Sequence, residues 1–149
     1  MIPEEEYKEI LKKIPICCVD VIIINAENNF LLAKRTNEPA KGKWWIPGGR
    51  ILKNETIKHA ALRKSYEETG LKCKYVKRLG VFETIFDKGP FGSPVHTVNV
   101  ICLMKTNQKN VLLDKQNNEY LWCSSIDKSK NIPKEIIECL KKMGFKYGY

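Results

Sequence analysis

Residues 48–71 read GGRILKNETIKHAALRKSYEETGL, and this stretch decides the fold prediction. The four residues before it, Trp44-Trp45-Ile46-Pro47, predict a short strand that ends at Gly48 and Gly49. Adjacent glycines allow positive φ and a close approach of the backbone to a neighbour. Asn54 is a residue type that caps helices, and Gly70 is one that follows their last turn. We therefore predict a strand, a glycine loop and a helix in immediate succession.

Charged side chains recur at helical spacing within this predicted helix. Residues three or four apart share a helix face, so Lys64, Glu67 and Glu68 lie close together, and Arg63 lies one turn before Glu67. Two neighbouring carboxylates repel unless a cation neutralises them. Mg²⁺ takes oxygen ligands and leaves sites free for substrate phosphates. The alternative is a solvated helix face on which the lysine and arginine are ordinary surface partners.

The spacing of this stretch resembles the signature of the Nudix hydrolases, which is Gly, five residues, Glu, seven residues, Arg-Glu-hydrophobic-X-Glu-Glu-X-Gly-hydrophobic. The matching residues are Gly49, Glu55, Arg63, Glu67, Glu68, Gly70 and Leu71. Lys64 stands where the family has Glu, and Ser65 stands where it has an apolar residue. A match at this many spaced polar positions is a specific signal. The resemblance implies an α/β fold, namely an α/β/α sandwich with a mixed sheet between helices.

The same resemblance implies a hydrolase that uses Mg²⁺, or else Mn²⁺, on a nucleoside diphosphate derivative. The metal ligands would be the Gly48 carbonyl and Glu68, with Glu67 nearby. Arg63 would orient carboxylates or bind substrate phosphate. In many members the Glu at the position of Lys64 helps to activate the attacking water, so that mechanism does not carry over directly.

Residues 31–50, LLAKRTNEPAKGKWWIPGGR, resemble the GDP-mannose mannosyl hydrolase branch of the family. That branch attacks the sugar carbon and releases GDP and free mannose, whereas most relatives attack phosphorus. The resemblance implies a catalytic role for Asp20, stabilisation of the leaving diphosphate by Arg35 and Arg50, and a metal ligand at Gln116. It also implies a nucleotide-sugar substrate and a homodimer.

The resemblance does not identify the general base of the predicted site. Asn117 stands where the branch carries a His, and an amide does not accept a proton usefully near neutral pH. The candidates to replace it are Glu119, Glu67 and Glu83. Glu119 is close to Gln116 in sequence, in the loop that holds the base in relatives, and is our catalytic candidate. A strand-edge carboxylate is the alternative interpretation.

Two other functions stay open. Glu67 and Glu68 together also fit a conventional Nudix pyrophosphohydrolase that attacks phosphorus in another nucleoside diphosphate or triphosphate. Lys64 and Asn117 together also fit a non-catalytic module that binds nucleotides.

The composition narrows the classes of partner. At 149 residues, the chain is expected to form a single domain over residues 1–149. No apolar run approaches membrane-spanning length, and the acidic residues near the N-terminus are unlike a signal peptide, so we expect a cytoplasmic protein without a membrane partner. The net charge of +9 comes almost entirely from dispersed lysines, a pattern that attracts anionic substrates and does not favour a nucleic-acid partner.

Hydrophobic periodicity and turn residues predict the other elements. These are a helix over 3–13, strands over about 16–25, 30–35, 73–86, 95–105 and 119–124, and a last helix over about 132–143. The Gly and Pro residues in 87–94 predict either a hairpin connection or a loop that closes over substrate.

Overall fold

A computed structural model describes residues 1–148 of the chain. The helices are α1 (Glu4–Lys13), α2 (Ile57–Thr69) and α3 (Lys134–Lys142). The strands are β1 (Ile16–Ile24), β2 (Phe30–Arg35), β3 (Trp44–Trp45), β4 (Gly48–Arg50), β5 (Lys74–Phe86), β6 (Val95–Lys105) and β7 (Asn117–Cys123). The predicted elements are present, and their ends differ from the predictions by one or two residues.

The strands form one seven-stranded mixed sheet with the order β3-β2-β1-β6-β5, to which β4 adds by pairing with β1 and β7 by pairing with β2. The β1–β6 pair is parallel, and the other pairs are antiparallel. The apolar run of β1 suits a central strand that is buried on both faces.

Helices cover both faces of the sheet. Because side chains alternate along a strand, Val19 and Val21 of β1 lie on the face that packs against Ala60 and Ala61 of α2. Ile22 lies on the opposite face, in the apolar cluster to which α3 contributes its buried residues. The predicted sandwich of a mixed sheet between helices is therefore confirmed.

Helix α1 covers another part of the face occupied by α3. Its Leu11 packs with Ile16 and Cys18 at the start of β1, whereas Ile22 further along β1 belongs to the cluster around α3. Asp20 lies on this same face, between Cys18 and Ile22. Asp20 therefore lies in the gap between the cluster around α1 and the cluster around α3, where its side chain can contact a ligand.

Two local predictions around the glycine loop were wrong in detail. Thr56, not Asn54, caps α2, because the Thr56 hydroxyl accepts a hydrogen bond from the His59 N–H at 3.2 Å. Asn54 instead takes a left-handed turn conformation with φ of 65°. Residues 44–47 form no continuous strand, since β3 ends at Trp45 and β4 begins at Gly48. Gly70 does follow the helix in the left-handed conformation, as predicted.

The helix α2 also shows why it tolerates Ser65 at a position where the signature is apolar. Ser65 is fully buried, and its hydroxyl donates to the Ala61 carbonyl one turn earlier at 2.7 Å. The buried polar group is thus satisfied within the helix itself.

Among residues 1–148, no helix is both long and apolar enough to cross a membrane.

Candidate active site

The glycine loop lies directly against the central strand. β4 pairs with β1 so that Gly48 is opposite Asp20 and Gly49 is opposite Val19. Neither loop glycine has positive φ, so that part of the prediction was wrong, whereas the predicted close approach of the backbone is present. The reason is space, because a Cβ on Gly48 would overlap the Asp20 carboxylate and would lie 2.5 Å from the Val19 carbonyl oxygen.

Gly48→Ala is expected to destabilise the fold by about 2–3 kcal/mol, because the added methyl meets backbone that cannot move aside easily. Urea unfolding measures the loss. Gly80→Ala in β5 is the matched control, since a Cβ there meets nothing within 4 Å. Equal stability of the two variants would contradict the packing argument.

Asp20 is a buried carboxyl in the wall of the site. The residue is only 5% exposed, and the Asn99 amide donates to its Oδ2 at 2.9 Å. Burial raises the pKa of Asp20 to about 7, and the negative charge of Glu68 acts in the same direction. The Asn99 hydrogen bond and the Arg35 charge oppose the rise without cancelling it. Asp20 therefore changes protonation state near neutral pH.

Glu68 is the most deeply buried carboxylate of the helix signature. It is 1% exposed, and the Gly48 N–H donates to its Oε2 at 3.1 Å. Lys64 Nζ lies 3.1 Å from the other oxygen, Oε1, and 3.3 Å from Glu67 Oε2. This buried oxygen therefore has an ionic neighbour but no hydrogen-bond partner within residues 1–148. Burial is the main cause that raises the pKa of Glu68, and the ammonium of Lys64 opposes it.

These residues fit a hard divalent cation. Glu68 Oε1 is a buried carboxylate oxygen that lacks a hydrogen-bond donor, which is the kind of ligand such a cation prefers, and the adjacent Gly48 contacts the other oxygen of this carboxylate through its N–H. No group of three or more His, Cys, Asp or Glu among residues 1–148 forms a self-contained metal cage. Mg²⁺ usually binds only a few protein ligands, and water and phosphate take its remaining coordination positions. The Lys64 ammonium lies 3.1 Å from this same oxygen and would compete with a cation there.

Arg63 holds the carboxylates of the signature in place. Its Nε and Nη2 donate to the two oxygens of Glu55 at 2.6 and 2.9 Å, and its Nη1 donates to Glu67 at 3.1 Å. Nη2 also donates to the Arg50 carbonyl at 2.9 Å, which ties α2 to β4. Of the two roles considered for Arg63, the geometry favours orientation of carboxylates over direct binding of phosphate.

A cleft of about 1590 Å³ opens over the glycine loop. We call it the active-site cleft; it is lined by Asp20, Arg35, Gly48, Arg50, Arg63, Lys64, Glu67 and Gln116, among others. Pockets that hold drug-sized ligands usually measure roughly 300–1,000 Å³, so this cleft has room for a large ligand. Arg35 Nε donates to the Pro39 carbonyl at 2.7 Å, which fixes that arginine in the wall.

Three predicted residues do not line the active-site cleft. The candidate base Glu83 lies on β5, where its carboxylate contacts His96 of β6 at 3.1 Å. Glu68 is buried, and its carboxylate accepts a hydrogen bond from Gly48, which lines the cleft. Glu119 lies elsewhere, on β7, where its carboxylate pairs with Lys34 of the neighbouring strand at 3.1 Å. That position matches the alternative interpretation of a strand-edge carboxylate. Asn117 is buried, and its amide donates to Asp114 Oδ1 at 3.3 Å.

Two polar residues that contribute to the candidate site, Thr97 and Asp114, were not predicted from the sequence. Thr97 donates to Asn99 and pairs with Thr84, which completes a hydrogen-bonded row that ends at Asp20. Strand alternation places residues 97 and 99 on one face, and that signal could have identified the row. Asp114 accepts from the Gln116 N–H at 3.0 Å and its charge adds to the rise in the Glu68 pKa. An acidic residue two positions before Gln116 is typical of such a turn.

Comparison with known proteins identifies the family of this chain. The family model described as NUDIX domain matches residues 17–138. The low-salt glycan biosynthesis protein Agl8 of Haloferax volcanii is 42% identical over 86 residues, which cover 58% of this chain and 54% of that protein. The ADP-ribose pyrophosphatase of Methanocaldococcus jannaschii is 38% identical over 82 residues, or 55% of this chain and 46% of that protein. The chain thus spans about half the length of these curated relatives.

A solved structure shows the same fold at lower identity. The MutT protein from Methanosarcina mazei Go1 superposes with a TM-score of 0.71 at 22% identity, covering 87% of this chain and 94% of that one. At this identity the likeness concerns the fold alone.

Proposed function

The chain belongs to the Nudix family, and from that premise we propose that it is a divalent-metal-dependent hydrolase of a nucleoside diphosphate sugar, GDP-mannose-like, that releases nucleoside diphosphate and free sugar. Hydrolase chemistry follows from the family, whereas the sugar and the bond cleaved are our proposal. The glycan-related name of the Haloferax volcanii relative is consistent with a sugar-containing substrate.

One observation carries the proposal. Lys64 is ion-paired with Glu67 and Glu68 at the signature position where the family has a Glu, so a carboxylate is missing where many members activate water for attack on phosphorus. The cleft instead presents Arg35 and Arg50, whose planar guanidinium groups suit a leaving diphosphate. Attack at the sugar carbon requires that the negative charge developing on the leaving diphosphate be stabilised.

Nudix hydrolases generally use divalent metals such as Mg²⁺ or Mn²⁺. In this chain Glu68, the Gly48 carbonyl and Gln116 would hold the ion, with Glu67 at the cleft rim. When bound, the ion supplies Lewis-acid neutralisation of the diphosphate charge. Arg63 holds Glu55 and Glu67 in place through its hydrogen bonds to both carboxylates.

Asp20 is the best-placed proton acceptor of the cleft, and we assign it that role in place of Glu119. An efficient general base has a pKa near the working pH, and burial brings the pKa of Asp20 to about 7. The row of Thr84, Thr97 and Asn99 fixes its carboxylate through the Asn99 amide.

A second candidate is a conventional pyrophosphohydrolase that attacks phosphorus. The observation in its favour is Glu67, which is half-exposed at the cleft and carries a carboxylate that could receive a proton. The Methanocaldococcus jannaschii relative is named for a pyrophosphatase activity.

Lys64→Met is expected to tighten binding of Mn²⁺ by about tenfold, because it removes a positive charge 3.1 Å from Glu68 Oε1 while keeping the apolar stem. Calorimetric titration with Mn²⁺ measures the affinity. Lys58→Met, an exposed change on the same helix, is the control and is expected to leave it unchanged. Weaker Mn²⁺ binding by the Lys64 variant would show that the ammonium supports the metal site.

The proposed function is tested with a panel of nucleoside diphosphate sugars, including GDP-mannose, in the presence of Mg²⁺. Chromatography of the products is expected to show free sugar and nucleoside diphosphate. Sugar phosphate and nucleoside monophosphate would establish the second candidate instead. Metal-dependent binding of the panel without any turnover would support a non-catalytic module.

A further inference from the structure

Arg50 is unlike the other arginine of the signature region in the way it is held. All three nitrogens of the Arg63 guanidinium donate to protein oxygens, whereas the guanidinium of Arg50 makes no hydrogen bond or ion pair within residues 1–148. Glu6 also lines the cleft, but it forms no ion pair with Arg50 in the described part of the chain. The donors of Arg50 are therefore available to a ligand.

What holds Arg50 is an aromatic ring from α1. The Arg50 Cζ lies 4.1 Å from the centroid of the Tyr7 ring. Stacking engages the face of a guanidinium and leaves the N–H donors at its edge free. Tyr7 is itself fixed, because its ring packs edge-to-face with that of Phe91, with the ring centroids 6.2 Å apart, and lies against the cluster of Leu11 and Cys18.

This support comes from outside the segment that matches the family model. The match begins at residue 17, whereas α1 spans Glu4–Lys13. Tyr7 and Arg50 both line the active-site cleft, so a helix beyond the matched segment forms part of its wall.

We propose that Tyr7 is a positioning residue that presents the edge of Arg50 to the diphosphate of the ligand, which makes α1 part of the anion-binding wall. The inference rests on the proposed function for the identity of that ligand. It requires only that the cleft binds a diphosphate, and it does not require that the protein hydrolyses one. A ring without a hydroxyl should serve equally well, because the face of the ring does the positioning.

The test uses inorganic pyrophosphate as the probe, titrated calorimetrically in EDTA so that no metal contributes. Tyr7→Leu, which keeps apolar volume but removes the ring face, is expected to weaken binding about fivefold. Tyr7→Phe is expected to bind within about twofold of the unchanged protein, because it keeps that face. Tyr120→Leu, the same change at an exposed strand position outside the cleft, is the matched control.

Three results would overturn the inference: equal binding by Tyr7→Leu and the unchanged protein, equal weakening by Tyr7→Leu and Tyr7→Phe, or no binding of pyrophosphate to the unchanged protein. Because the readout is binding, a failed substrate panel would leave the inference standing.

A second measurement covers the case in which Tyr7→Leu does not fold. In the unchanged protein, NMR should show Arg50 side-chain signals displaced by the ring current of Tyr7, and these signals should shift on addition of pyrophosphate. Arg50 signals at ordinary positions, or signals that do not respond, would overturn the inference.

Discussion

Glu68→Gln is expected to lower kcat/KM with Mg²⁺ by about 1000-fold, a loss of about 4 kcal/mol in transition-state stabilisation. The amide can still accept the Gly48 N–H, so the loop is kept. However, the new group lacks the charge that a divalent cation needs, and its NH₂ end would face the Lys64 ammonium. Steady-state kinetics and Mn²⁺ titration measure the two consequences, activity and metal affinity.

The matched control is Glu67→Gln on the same helix. Glu67 is half-exposed and is neutralised by both Arg63 and Lys64, so its loss is expected to cost no more than about tenfold. Equal losses in the two variants would contradict the assignment of Glu68 as the main carboxylate ligand. Retention of Mn²⁺ binding by the Glu68 variant would contradict it as well.

Asp20→Asn is expected to stabilise the metal-free protein increasingly as the pH rises. Folding raises the pKa of Asp20 from 3.8 to about 7, so the folded state resists ionisation of this group. Below the unfolded pKa the group costs nothing. The cost grows as pH rises above that value and is complete above the folded pKa. Between about pH 5 and about pH 8 the stability difference between variant and unchanged protein should grow by about 3 kcal/mol.

Urea unfolding in EDTA at the two pH values measures this difference, and other titrating groups cancel between the two proteins. Asp127→Asn is the control, since Asp127 is exposed and hydrogen bonds from Ser129 lower its pKa. That variant should gain no stability as pH rises. A pH-independent difference for Asp20→Asn would show that the carboxyl is ionised at low cost in the fold. We also expect the same variant to lose turnover, because the carboxyl that lowers the stability of the fold is the one proposed to accept the proton.

Much of the fold could be predicted because its signals are local and redundant. The apolar run of β1 and the spacing of α2 each constrain their element through several residues. The end of α2 at Gly70 was predicted from one residue with a strong conformational preference. The start was not, since Asn54 and Thr56 are both capping types and only tertiary packing selects between them.

The candidate site was predicted less completely because its contacts join distant segments. The spacing along α2 placed Lys64 beside Glu67 and Glu68, and the structure adds that Lys64 is buried. Glu119 was chosen for closeness to Gln116 along the chain. Strand alternation and the β2–β7 register direct its carboxylate to Lys34 instead. The stacking of Tyr7 on Arg50 joins α1 to β4, and no sequence periodicity reports such a contact.

The most direct test of the proposed carbon attack is hydrolysis of GDP-mannose in water enriched in ¹⁸O, with Mg²⁺ and mass spectrometry of both products. Attack on the sugar carbon predicts one ¹⁸O atom in the released mannose and none in the GDP. ¹⁸O in a phosphate group, with GMP and mannose phosphate as products, would contradict the account and make the protein a phosphorus-attacking pyrophosphohydrolase.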